Sequence, residues 1–310
     1  MAVGLVFFML FSSWQFLAVF AVVFFSIATV VDKNFVSGKA QARVALAFIG
    51  ASSLLAFIAA ALFFGITIPA LPALALGLVT GLAWLCAIVA YYQSLKIGEV
   101  SRMAPIFQLA PLFTALLAAG VLAEELTALN YLGVALVIAG AALVSVEKVS
   151  NKRVGRGVCL GKGALLALVS AGLFALHNVL LKQSVSELGA ASAFIWLQAA
   201  VAAACAIIAV VYRGDVRKFI SAHPRSVAIV LASNSGRCLA GLAFAVAAGL
   251  SQITLVATVV ATQPFLILVI ALALSKIKPS LLKEKFDRKS LALKAAAAVL
   301  VVVGSWLVMA

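Results

Sequence analysis

Arg237 sits in the run Ser233-Asn234-Ser235-Gly236-Arg237-Cys238-Leu239-Ala240-Gly241, near the middle of an otherwise apolar stretch at 226–249. If that stretch crosses a bilayer, a cation at its centre costs at least about 2.5 kcal/mol on insertion scales. Such a residue must face a cavity, a partner or a ligand. No carboxylate stands mid-span in this sequence; Asp32, Glu99, Glu124 and Glu125 all fall near predicted helix ends. A guanidinium without an acidic neighbour offers planar donors to a carboxylate or phosphate. The competing reading is structural: the long side chain bonds backbone carbonyls or reaches an interfacial acid.

Other polar residues interrupt apolar runs. Ser233, Asn234 and Arg237 share one helical face, as do Trp84, Ile88 and Tyr91. Aromatics opposite a cation suit a partly planar, amphipathic solute, although packing is the plainer role for Tyr91 and Tyr92. His177 and Asn178 fall mid-helix, Gln108 precedes Pro111 by three residues, and Thr258 and Thr262 lie in the ninth apolar run. Intramembrane polar groups bind cargo or bond helix to helix. His177 could relay protons or donate a structural hydrogen bond. Lys33 and Lys182 close two spans as anchors or as attractors of anions. The candidate substrate-binding set is Arg237, Asn234, Ser233, Trp84, Tyr91, Gln108, His177, Asn178 and Thr258.

The elements that position these residues follow from composition. Of 310 residues, 66% are hydrophobic and 10% charged, with a mean hydropathy of +1.24. Soluble domains carry about 25% charged residues, so a soluble enzyme and a disordered chain are both excluded. The net charge of +14 sits between apolar runs, which fits loops on an anionic leaflet rather than nucleic acid. Cys86, Cys159, Cys205 and Cys238 form no CxxC pair, so they read as small buried hydrophobes, with neither zinc nor a disulfide framework. Residues 1–31 carry no charge and lack a basic leader region, so they read as the start of the first span.

A bilayer core needs about 20 apolar helical residues, and these runs lack the alternation of a barrel. Ten spans are predicted: 12–33, 43–64, 73–95, 102–123, 127–146, 163–183, 190–212, 226–249, 252–275 and 291–309. The turn between the second and third is Gly65–Pro72. Pro105, Pro111 and Pro264 are expected to interrupt the fourth and ninth spans, and Gly77–Gly81 is a GxxxG contact motif. Of 23 Lys and Arg residues, 21 belong to links 1–2, 3–4, 5–6, 7–8 and 9–10 or their flanks. The positive-inside rule makes those links cytoplasmic and both termini external.

Self-comparison indicates a duplication. Ser26–Asn34 aligns with Ala175–Gln183, and Ala90–Ala118 with Ala243–Ala271, matching Lys33 to Lys182, Pro111 to Pro264 and Trp84 to Arg237. Gly140 matches Gly304. Five spans per copy invert the second copy. The expected division is a first repeat at 1–147, a basic loop at 148–162 and a second repeat at 163–310.

The segment Ala90–Val146 carries a family resemblance. Its features are the Tyr91–Leu95 end of the third span, Pro111-Leu112-Phe113, Glu124, and Gly133 with Gly140; Gln41-Ala42-Arg43 adds to them. This pattern resembles the EamA repeat of the drug/metabolite transporter superfamily. In the second half Lys276-Ile277-Lys278-Pro279 and a basic loop replace the Glu-containing turn. The resemblance implies an all-α polytopic fold of ten helices in two inverted five-helix repeats. It also implies a central cavity lined by spans 1, 3, 4, 6, 8 and 9, a plasma-membrane location, and transport of small metabolites, often export. Relatives of this kind usually have cytoplasmic termini, against the charge count.

The sequence has no Walker loop, no HExxH motif and no mid-span carboxylate in the first span, where Ser26 and Thr29 stand instead. ATP drive, metal chemistry and carboxylate-coupled proton antiport are therefore not expected, and no cofactor is. The reading is a secondary transporter, not an enzyme, for a small anionic or zwitterionic solute such as an amino or organic acid. It works in the lipid bilayer as monomer or homodimer, without nucleic acid. The alternatives are a lipid-carrier flippase and a non-transporting membrane subunit.

Overall fold

The computed structural model describes residues 13–36, 42–97, 106, 107, 109–145, 162–267, 269, 270 and 288–309. Among them the regular structure is helical: α1 Trp14–Val36, α2 Ala42–Phe64, α3 Leu71–Ile97, α4 Ala110–Val121, α5 Ala128–Ser145, α6 Lys162–Leu188, α7 Ala190–Val211, α8 Arg213–Ala222, α9 Pro224–Leu250, α10 Ile253–Val260 and α11 Arg288–Met309. Six of these, α1, α2, α3, α6, α7 and α9, are long and apolar enough to cross a membrane. Shorter apolar helices lie at Ala110–Val121, Ala128–Gly140, Ile253–Ile267 and Val299–Val308. The outer surface is apolar, with Leu62, Phe63 and Ile68 each at least 80% exposed. In water this would drive aggregation; in lipid it is the solvated face.

The boundaries follow local chemistry. Gly65 (φ 80°) terminates α2 and Gly189 (φ 75°) separates α6 from α7, left-handed positions that glycine takes without strain. Pro111 opens α4 instead of interrupting it, and the backbone tightens to an i→i+3 bond at Leu109 just before it. The same happens ahead of Pro264: Thr262 N donates to the Val259 carbonyl at 3.1 Å, and helix resumes at Gln263. Pro105 lies outside the described residues. One segment expected as a loop is a helix. In α8, Val216 and buried Phe219 face inwards while Arg213, Arg217 and Lys218 stay exposed.

Packing runs chiefly between the two parts of the chain. The most extensive helix contacts are α3 with α6, α5 with α11, α1 with α9 and α2 with α7. Close approach at α3 and α7 depends on Gly77 and Gly81, where added methyls would strike Trp196 Cβ and the Leu197 carbonyl. Gly133, Gly140 and Gly304 do the same for α5 and α11. Polar side chains tie helices further: Ser170 Oγ donates to the Ala87 carbonyl (2.9 Å), and Thr80 and Ser184 hydroxyls meet at 3.0 Å. Ser170→Ala is expected to cost about 0.6 kcal/mol, the usual worth of such a bond in a membrane interior, measured by unfolding in detergent.

Candidate functional site

Arg237 falls at the middle of α9, as the sequence places it, but it does not stand without an acid. Its Nη2 donates to Asp32 Oδ2 on α1 at 2.5 Å. The same oxygen accepts from the Tyr92 hydroxyl on α3 at 3.0 Å. Arg237, Asp32 and Tyr92 are 9%, 8% and 1% exposed, so the charges neutralise each other while buried. The expectation of an acid-free guanidinium is therefore corrected. The physical reason is that hydropathy ends the first span at Asp32-Lys33, while α1 continues to Val36 and the long Arg237 side chain spans the remaining distance.

The pair does not exhaust the guanidinium. Arg237 Nη1 and Asn234 Oδ1 are buried with no hydrogen-bond partner among the described residues. Both residues line a cavity of about 60 Å³, room for a few water molecules at about 10–15 Å³ each. Phe25, Ile49, Ser53 and Trp84 come to it from α1, α2 and α3; His177, Leu181, Phe194, Gln198, Cys238 and Phe244 come from α6, α7 and α9. The lining thus draws on α2 and α7, which the resemblance does not imply, and among the described residues not on α4 or α10. It combines an aromatic and apolar wall with a few convergent polar groups, the usual make-up of a small-molecule site.

Of the nine residues singled out from sequence, Arg237, Asn234, Trp84 and His177 meet at this cavity. His177 Nδ1 lies 3.1 Å from the Thr80 carbonyl, which requires Nδ1 to carry the proton. Four others do not line it. Ser233 Oγ is buried with no hydrogen-bond partner among the described residues. Tyr91 stacks edge-on against Phe107. Asn178 donates to Thr114 Oγ1 on α4 at 3.1 Å. Thr258 bonds its own helix at the Thr254 carbonyl. Gln108 lies outside the described residues.

Sequence reasoning passed over Asp32, Tyr92, Gln198 and Ser53. Gln198 carried a readable signal, being a single amide inside the apolar run 190–211. Ser26 and Thr29 serve the kink ahead of Pro264, for Gln263 Nε2 donates to Thr29 Oγ1 at 2.7 Å. Of the described cysteines, Cys205 alone is fully buried, at the contact with Gly50; Cys86 faces outwards and Cys238 borders the cavity. The side chain of Lys33 lies outside the described residues.

These features define an integral, multi-pass helical membrane protein with a small, mainly apolar interior cavity that a few polar groups enter. Residues 12–146 match the model of the EamA-like transporter family, a family of the drug/metabolite transporter superfamily. A 70-residue stretch is 41% identical to a Sinorhizobium protein described as "Uncharacterized transporter in cobO 3'region". That match takes in 23% of this chain and 47% of the relative, so the chain spans about half the length of the relative it matches. A crystal structure of another protein superposes with a TM-score of 0.70 at 15% identity, covering 94% of this chain and 97% of that one. At that identity the likeness concerns the fold. Together the family match and the relative's description support a membrane transporter as the class of protein.

Proposed function

We propose that this chain is a secondary transporter that exports a small zwitterionic metabolite across the plasma membrane by alternating access. Its halves are residues 1–147 and 163–310, each a five-span repeat inverted relative to the other, with the basic loop 148–162 between them. Exchanging the halves maps the α3–α6 contact onto α1–α9 and leaves the α2–α7 and α5–α11 contacts in place, which supports that reading. So do the tightened turns ahead of both Pro111 and Pro264. Rocking of one half against the other would widen the cavity to admit a solute.

The observation that carries the substrate class is the half-used guanidinium. Arg237 Nη2 is occupied by Asp32, while Nη1 is buried with no hydrogen-bond partner among the described residues, on a side chain that lines the cavity. The pair is charge-balanced, so a net-neutral solute leaves it balanced. A zwitterion's carboxylate would take Nη1, its ammonium would face Asn234 Oδ1, and Trp84 would cover an apolar part. An anionic solute remains the second reading, because a carboxylate could replace Asp32 on the guanidinium.

The test is a thermal-shift screen of amino and organic acids on the purified chain, followed by counterflow in proteoliposomes. Zwitterionic hits are expected. Arg237→Gln should weaken their binding roughly 10- to 100-fold, the worth of a charge-assisted hydrogen bond, and abolish counterflow. Unchanged counterflow in that variant would refute the site. Counterflow of neither class would favour the flippase or subunit alternatives.

A further inference from the structure

Next along α6 and α9 from the cavity lie charged groups that the proposed substrate site does not use. Leu181 on α6 and Phe244 on α9 line the cavity. Directly after Leu181, Lys182 Nζ donates to the carbonyl oxygens of Ala248 (2.6 Å) and Ser251 (2.8 Å). This fastens α6 to the last turn of α9, one turn beyond Phe244. Across the same link, Glu124 Oε1 accepts from Ile253 N at 2.6 Å. Its Oε2 accepts from Thr254 N at 3.2 Å and from Thr254 Oγ1 at 2.8 Å. Gln252 Nε2 donates to the Glu125 carbonyl at 2.9 Å.

The two residues between α9 and α10, Ser251 and Gln252, are thus held from both sides. The ammonium sits on C-terminal carbonyls and the carboxylate on N-terminal amides, each charge opposite the helix end it complements. Simple capping would come from a helix's own flanking residues. Here both caps come from other helices: Glu124 follows α4 and Lys182 belongs to α6. The ties therefore fix the position of the link relative to the rest of the bundle. Lys182 and Glu124 are half-buried, so water can take over their bonds once they part.

We propose that Lys182 and Glu124 are the gate residues of this face. They hold the α9–α10 link over the cavity, and their release opens that mouth. The proposal rests on the alternating-access reading but not on the identity of the solute.

Cys238, at the cavity, is the reporter. The full chain in detergent is treated with a small charged methanethiosulfonate, and modification of each cysteine is followed by mass spectrometry. Lys182→Met and Glu124→Ala are each expected to raise the Cys238 rate about tenfold or more, the equivalent of one charge-assisted hydrogen bond. Lys182→Arg, which keeps the donors, should stay within a few-fold of the parent, and Cys205 should remain slow in all. An unchanged Cys238 rate in variants with parental thermal unfolding overturns the gate. A parallel rise at Cys205 also overturns it, since that reports general loosening. If Lys182→Met does not fold, Glu124→Ala decides. The labelling needs no solute, so its outcome is separate from that of Arg237→Gln in counterflow.

Discussion

Arg237→Met with Asp32 retained is expected to destabilise the protein by about 3–5 kcal/mol, the cost of leaving one partner of a buried ion pair uncompensated. Asp32→Leu alone should cost a similar amount, since it strands the guanidinium and frees the Tyr92 hydroxyl. The double variant should recover most of the loss, because two apolar side chains of suitable volume replace a pair whose desolvation already offsets much of its attraction. The cycle is read from unfolding in detergent. Additive losses would mean that the two residues are not energetically coupled. Counterflow should be absent from all three variants, so the double variant separates folding from transport: stability returns and function does not.

Gly81→Val is the second change expected to act strongly. A Cβ at Gly81 would fall against the Leu197 carbonyl and within 2.9 Å of Ala200 Cβ. Backbone cannot swing aside as a side chain does, so α3 and α7 must separate. The expected loss is about 3 kcal/mol, the upper end for overpacking, with little folded protein recovered after membrane extraction. Gly120→Ala is the control. A Cβ there would meet nothing within 4 Å beyond its own helix among the described residues, and the added methyl should leave stability unchanged or slightly raised. Equal behaviour of the two variants would show that the α3–α7 approach is not under steric constraint.

The six long apolar helices and most of their ends were legible in the sequence because one-dimensional signals govern them. The turn at Gly65–Ala70, the GxxxG at Gly77–Gly81 and the irregularities ahead of Pro111 and Pro264 all follow from local backbone chemistry. Helix α8 was passed over because RGDVRKFISA is short and carries four charges, which read as a loop between spans, although Val216, Phe219 and Ile220 recur at helical spacing and Phe219 packs inward. Asp32 was missed for a different reason. A charge ends a hydropathy window whether it meets water or a partner, and the partner stands 205 residues away. The site was half visible: Arg237, Asn234, Trp84 and His177 declare themselves as polar or aromatic intrusions in apolar runs. Which of the other intrusions face the cavity, as Gln198 does, and which bond a neighbouring helix, as Asn178 does, is decided by helix rotation. Apolar flanks record that rotation poorly, because lipid and protein interior accept the same side chains.

The pairing of each early helix with a late one has a consequence for biosynthesis. When a ribosome has delivered α1 to α5, the principal neighbours of α1, α2, α3 and α5 have not yet been made. Asp32 then enters the bilayer without Arg237, and Gly81 without the α7 backbone it is shaped to meet. The nascent half is a set of loosely associated spans, and it condenses only as α6 to α11 thread among them. Severing the gene between codons 148 and 161 and co-expressing both fragments should therefore yield assembled protein, whereas either fragment produced alone should be cleared by quality-control proteases.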